Sequence, residues 1–100
     1  MAGKRERILV DAEDVQEAVA SIYHAMVKRL EQKGYYSYIG PHEALGIIEE
    51  EKYELTMAVH QNDEDQFIKE LTDIAVGCIF AIASARAYTA ENARIQSAIL

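Results

Sequence analysis

The chain reads Glu50-Glu51-Lys52-Tyr53-Glu54 and, after fifteen intervening residues, Glu70-Leu71-Thr72-Asp73. These two acidic segments decide the fold, because each places carboxylates three residues apart, the spacing that puts side chains on one face of an α-helix. Two such helices packed side by side would bring four carboxylates together. They belong to Glu51, Glu54, Glu70 and Asp73. Such a cluster in a partly sheltered cleft must bind protons or a cation, because the like charges repel one another.

A run of acids on a helix is usually a solvated face, but the helical positions argue against that interpretation here. At 100° per residue, Glu51 lies about 60° from Glu54, inside an arc that also holds Ile47 and Leu55. Glu49 falls on the opposite side of the helix. We therefore expect Glu51 to face the protein interior and Glu49 to face solvent.

Helical periodicity dominates the chain and predicts an all-α fold. We expect three long helices plus a short C-terminal helix, arranged as an antiparallel bundle that oligomerisation completes. All 100 residues should form a single domain, with residues 1–10 as a mobile tail. The predicted helices run from Asp11 or Asp14 to Lys33, from about His42 to Gln61, from about Glu64 to Ala87, and from Thr89 through Ile99.

The third predicted helix is apolar around most of its circumference between Ile74 and Ala83. One stripe should serve for packing: Phe67, Leu71, Ile74, Cys78 and Ile82. We expect the excess apolar residues, which are Val76, Phe80 and Ala83, to face another subunit. Gly77 lowers helix stability, so its presence suggests close approach by a neighbouring helix or a ligand.

Composition excludes several classes of protein. The formal net charge of −7 argues against nucleic acid as a partner. A single cysteine, Cys78, cannot form an intramolecular disulfide and favours a reducing compartment. The apolar run Ile8-Leu9-Val10 is too short for a signal peptide, and residues 74–87 are too few to span a membrane. We expect a cytoplasmic protein with no membrane partner.

The predicted cluster offers only carboxylate oxygens, and such ligands suit a hard ion, Mg²⁺ or Mn²⁺. The sequence contains no Glu-x-x-His pair of the kind that di-iron bundles use. Calcium-loop, zinc and Walker A patterns are also absent from it.

The order Glu50-Glu51-x-x-Glu54 and then Glu70-x-x-Asp73 resembles the EExxE…ExxD signature of the all-alpha nucleoside triphosphate pyrophosphatase superfamily. That superfamily includes the MazG-like proteins and the dimeric dUTPase-like enzymes. The flanking residues 42–48 and 71–75 are also similar to small MazG-like proteins. The resemblance covers about residues 42–85.

The resemblance implies a helical bundle that forms a homodimer or a dimer of dimers (a homotetramer). It implies a Mg²⁺-dependent hydrolase that cleaves a nucleoside triphosphate by water attack at the α-phosphorus, giving a monophosphate and pyrophosphate. Carried over by position, the metal ligands are Glu51, Glu54, Glu70 and Asp73. Glu50 takes a catalytic role, holding a second ion or the attacking water.

Larger relatives carry basic and amide residues after the ExxD helix that hold phosphate and ribose. The candidates for substrate binding here are Lys69, Arg86, Asn92 and Arg94. Lys69 lies about 100° from Glu70 on the helix and could face outward.

Two alternatives remain open. The chain could be a non-catalytic helical oligomer of the same ancestry that binds a divalent cation or a nucleotide, since few basic residues lie near the motif. It could also be a structural bundle whose carboxylates pair with Lys28, Arg29 or Lys52.

Overall fold

The computed structural model describes residues 6–99. Over this range the chain forms three α-helices and no strand, which confirms the all-α prediction. None of the described helices is long and apolar enough to cross a membrane. Residues 1–5 of the predicted tail lie outside the described range, and residues 6–10 are exposed and non-helical. The helices are α1 (Ala12–Lys33), α2 (Pro41–His60) and α3 (Glu64–Ile99).

Local sequence signals fix the ends of α1. The backbone N–H of Asp11 donates to the carboxylate of Asp14 at 3.2 Å, which fastens the first turn. Gly34 ends the helix with φ 81°, and its N–H donates to the carbonyl of Leu30 at 2.8 Å. A positive φ favours glycine, so this residue is the natural stop.

A short connection makes α2 and α3 antiparallel neighbours. Asn62 adopts φ 54°, and the carboxylate of Asp63 accepts from the backbone N–H of Gln66 at 3.0 Å. Asp63 therefore caps α3. Both α1 and α2 contact α3, so α3 is the central helix.

The segment between α1 and α2 folds back onto α3. The backbone N–H of Tyr38 donates to Ser84 Oγ at 3.1 Å, and Ser37 Oγ donates to Tyr88 Oη at 3.2 Å. The ring of Tyr38 meets that of Phe80 edge to face, with centroids 5.0 Å apart. These contacts bury Tyr38 and anchor the loop to the middle of the central helix.

The position of this loop shows that one prediction was wrong. Val76 and Phe80 do not project toward another subunit, because Val76 is only 4% exposed within the chain and Phe80 contacts Tyr38. Ala83 is exposed. Val76 belongs to the core of this chain and Phe80 is half-buried, because both lie beside the loop and α1.

The predicted short C-terminal helix is also wrong, because α3 continues without a break to Ile99. Thr89 does not cap a new helix; its hydroxyl donates to the carbonyl of Ala85 at 3.0 Å inside the same helix. No glycine or proline occurs after Gly77 to interrupt it. Residues 85–99 are all exposed.

The buried face of α3 differs from the expected apolar stripe. Its buried residues are Glu70, Val76, Gly77 and Ser84. The expected stripe is more open, and Ile82 within it is 62% exposed. The buried face of α3 therefore carries an acid and small residues, while a line of apolar side chains lies exposed.

Substitution of two glycines, Gly77 and Gly34, tests the backbone conformation at these positions. A Cβ added at Gly77 or at Gly34 would meet nothing within 4 Å, so no neighbouring helix approaches Gly77 closely. We expect Gly77→Ala to stabilise the protein by about 0.5–1 kcal/mol, because alanine favours the helix. Gly34→Ala should destabilise it by about 1–3 kcal/mol, because its positive φ is strained for alanine. Denaturant unfolding of both variants measures the difference.

Since neither added methyl group meets a neighbour, the two variants differ only in backbone conformation and serve as controls for one another. A loss of stability in Gly77→Ala would contradict the open space beside this residue.

Candidate metal centre

Three carboxylates meet between α2 and α3. They belong to Glu51, Glu70 and Asp73, and each offers an oxygen within 4.8 Å of the others. The α2–α3 hairpin places them at the same height, and the three-residue spacing puts Glu70 and Asp73 on one face. The side chain of Glu70 is only 3% exposed. Among residues 6–99 this is the group of acids that could hold a metal ion.

The hydrogen bonding of the cluster is incomplete. Glu70 Oε1 accepts from the side-chain amide of Gln66. Glu70 Oε2 and Glu51 Oε2 are buried and have no hydrogen-bond partner among the described residues. A buried carboxylate oxygen without a donor is unfavourable. These two oxygens and the all-carboxylate donor set therefore fit a hard divalent cation.

The acids raise one another's pKa. Burial raises the pKa of Glu51, and the negative charges of Asp73, Glu54 and Glu70 raise it further. Hydrogen bonding to Glu70 and the charge of Glu70 raise the pKa of Glu54. Glu54 is exposed and lies outside the three-oxygen group. It therefore borders the cluster on the side of Glu70.

Lys69 is the cation that contacts the acids. Its Nζ lies 3.0 Å from Asp73 Oδ2 and 3.8 Å from Glu70 Oε1. The hydrogen bond to Asp73 raises the pKa of Lys69. The alternative pairing with Lys28, Arg29 or Lys52 is not found among the described residues. Lys69 leaves both buried carboxylate oxygens without a partner.

The other candidate residues lie apart from this cluster. Glu50 is exposed, and its charge acts on Glu54. Arg94 pairs with Glu91, three residues earlier on α3. Arg86, Asn92 and Arg94 follow Asp73 by 13, 19 and 21 residues. At 1.5 Å per residue they lie about 20–32 Å further along the helix axis. Their substrate-binding role stays a prediction, and within one chain they are far from the acids.

Sequence reasoning missed Gln66 as a member of the site. It precedes Glu70 by four residues, a spacing at which an amide and a carboxylate meet on a helix. That signal was available in the sequence. Gln66 holds one oxygen of Glu70 and leaves the other facing Glu51 without a donor.

Comparison with known proteins identifies the family. The model of the MazG nucleotide pyrophosphohydrolase domain matches residues 40–99, a segment that contains both acidic motifs. No curated protein and no solved structure matches the chain significantly. The matched segment covers more than half of the 100 residues. The resemblance that the acidic spacing indicates is thereby confirmed, and the chain belongs to the MazG nucleotide pyrophosphohydrolase domain family.

Proposed function

We propose that the protein is a Mg²⁺- or Mn²⁺-dependent nucleoside triphosphate pyrophosphohydrolase that releases a monophosphate and pyrophosphate. The observation that carries the proposal is the pair of buried carboxylate oxygens without partners, on Glu51 and Glu70, inside the family's acidic motif. Family membership supports the reaction class. The unpaired oxygens support a cation at this position.

Glu51, Glu70 and Asp73 would hold the ion, with Glu54 completing the set from the edge of the cluster. A divalent ion supplies two things when bound: neutralisation of phosphate charge and a more acidic water molecule. Gln66 fixes the orientation of Glu70. Glu50, which is exposed beside Glu54, would orient the water that attacks the α-phosphorus or hold a second ion.

We also propose that the protein works as a homodimer or a dimer of dimers. Within one chain, Arg86, Asn92 and Arg94 are about 13 residues or more from the acids along a straight helix, too far to share one nucleotide with them. A second copy lying antiparallel against α3 would bring its own C-terminal half beside the acids. The exposed apolar side chains on α3 offer a surface for it: Phe67, Ile68, Leu71 and Ile82.

A non-catalytic helical oligomer that binds a divalent cation or nucleotide is the second candidate function. One observation favours it: Lys69 is the basic residue in contact with the acids among those described. Calorimetric binding of a nucleoside triphosphate without turnover would support this function over hydrolysis. For either function a cytoplasmic location fits the single free cysteine.

Removing one carboxylate should abolish turnover. We expect Glu51→Gln and Glu70→Gln to lower kcat/KM by about 100-fold or more, because each loses a charged ligand and weakens metal binding. Pyrophosphate release from a panel of nucleoside triphosphates with Mg²⁺ or Mn²⁺ measures the effect. Glu49→Gln is the matched control, since Glu49 belongs to the same acidic run but is exposed. Activity unchanged by both cluster substitutions would rule out the mechanism.

The raised pKa of Glu51 predicts how stability depends on pH. A carboxyl whose pKa is higher in the folded state contributes stability that is present below its ordinary value of 4.5 and is lost as pH rises through the folded pKa. Metal-free protein should therefore lose stability as the pH rises above about 4.5. Glu51→Gln should reduce that loss. At pH 7.5 its free energy of unfolding should exceed that of wild type by roughly 0.5 kcal/mol, allowing for solvent screening, which corresponds to a rise in Tm of about 2–4 °C.

Thermal melts with chelator, at several pH values, measure this. Adding Mn²⁺ should stabilise wild type most at the higher pH, by about 2.7 kcal/mol at one hundred times the dissociation constant. The same melts on Glu51→Gln should show a smaller gain. No Mn²⁺-dependent shift in wild type at pH 7.5 would argue for the structural role of the acids.

Assembly can be tested on the exposed face of α3. The wild type should elute with a mass two or four times that of one chain, which is 11.2 kDa. Ile82→Lys places a charge in the apolar line and should shift the mass toward that of one chain. Light scattering measures both, and Gln32→Lys, exposed on α1, is the control. A wild type of 11.2 kDa would exclude the oligomer.

A further inference from the structure

A cavity of about 130 Å³ lies between the C-terminal half of α1 and the middle of α3. Val76 and Phe80 form its α3 side, and Tyr38 lines it from the loop. Val76 follows Asp73 by three residues, which is about 4.5 Å along the helix axis. The cavity therefore begins one helical turn from the acidic cluster, on the side of α3 that α1 covers.

Arg29 is one of the residues that line this cavity. It is half-buried and lies next to Leu30, which lines the same space. Among the described residues it makes no ion pair or hydrogen bond, although the chain carries 17 acids against 10 basic side chains. Among the described residues, the buried side-chain atoms that lack a partner do not include the nitrogens of Arg29, so solvent or a ligand in the cavity can reach its N–H donors.

Two more donors border the same space. Lys33, one turn beyond Arg29, is exposed and is unpaired in the part of the chain that the structure describes. The hydroxyl oxygen of Tyr38 is buried and has no hydrogen-bond partner. Tyr38 is only 9% exposed, and its contacts with Ser84 and Phe80 fix its position. Two cations and a phenol thus border one cavity.

We propose that this cavity is an oxyanion subsite for the terminal phosphates of the nucleotide, the part released as pyrophosphate. The proposal rests on the proposed function. Phosphate oxygens only accept hydrogen bonds, and the guanidinium fork of Arg29 suits them in a bidentate contact. The axial offset of about 4.5 Å between Asp73 and Val76 is shorter than a triphosphate chain. In a protein of net charge −7 this pocket supplies the local positive charge that a polyphosphate requires.

Calorimetric titration with inorganic tripolyphosphate, in excess Mg²⁺, tests the subsite without any base, sugar or turnover. We expect Arg29→Gln to weaken binding about tenfold or more and Arg29→Lys to restore only part of it, because lysine lacks the fork. Tyr38→Phe should weaken binding by a smaller factor. It removes an unpartnered hydroxyl, so it should fold at least as stably as wild type.

The control is Lys28→Gln, which removes one positive charge from the exposed neighbour of Arg29. Its tripolyphosphate affinity should equal that of wild type. Equal losses of tripolyphosphate affinity in Lys28→Gln and Arg29→Gln would show that only net charge matters, and would overturn the proposal.

Two further measurements separate this subsite from the proposed reaction. If wild type releases pyrophosphate and Arg29→Gln keeps both its KM and its tripolyphosphate affinity, the subsite is wrong and the reaction stands. If wild type has no turnover but binds tripolyphosphate through Arg29, the subsite stands and the reaction falls. If Arg29→Gln weakens the binding of a nucleoside monophosphate as much as that of tripolyphosphate, the cavity holds the nucleoside end of the nucleotide and the proposal is overturned.

Discussion

The repulsion among Glu51, Glu70 and Asp73 is the constraint on which the rest of the structure depends. Two carboxylates about 5 Å apart repel by roughly 3 kcal/mol at an effective dielectric near 20, and burial adds the loss of hydration. The α2–α3 hairpin holds the acids together nevertheless, through the cap at Asp63 and the packing of Ala58, which is almost fully buried. The two helices therefore maintain a local electrostatic cost that a divalent cation would relieve.

Few buried apolar residues are available to offset this electrostatic repulsion. The chain's buried hydrophobic residues, among those described, are Tyr38, Ala58 and Val76. Two of the three lie where the loop and α1 cover α3, one turn or more beyond the acids. A domain of this size buries a modest share of its surface, so stability and assembly are closely linked. The same contacts that bury Tyr38 and Val76 also form the wall of the cavity beside the cluster.

Features with local signals were predictable from the sequence. The three helices, the cap at Asp63 and the stop at Gly34 follow from spacing and from backbone preference. The convergence of Glu51 with Glu70 and Asp73 follows from a short hairpin. The features that failed depend on longer-range contacts. Val76 is buried and Phe80 half-buried because the loop folds back onto α3, and no local pattern indicates that. A threonine can cap a new helix or hydrogen-bond within an existing one. Thr89 therefore does not by itself indicate that α3 continues to Ile99.

The ion pair between Lys69 and Asp73 explains why the site can still accept an external cation. Its lysine side chain is 62% exposed, and an exposed pair of this kind contributes only about 0–1 kcal/mol. Breaking it is therefore easy, and Lys69 then becomes available to an anionic ligand beside the cluster. Arg29 and Lys33 line the cavity between α1 and α3 and are unpaired among the described residues. Lys69 therefore lies beside the acids in a weak ion pair, an arrangement suited to binding a cation and a polyphosphate together.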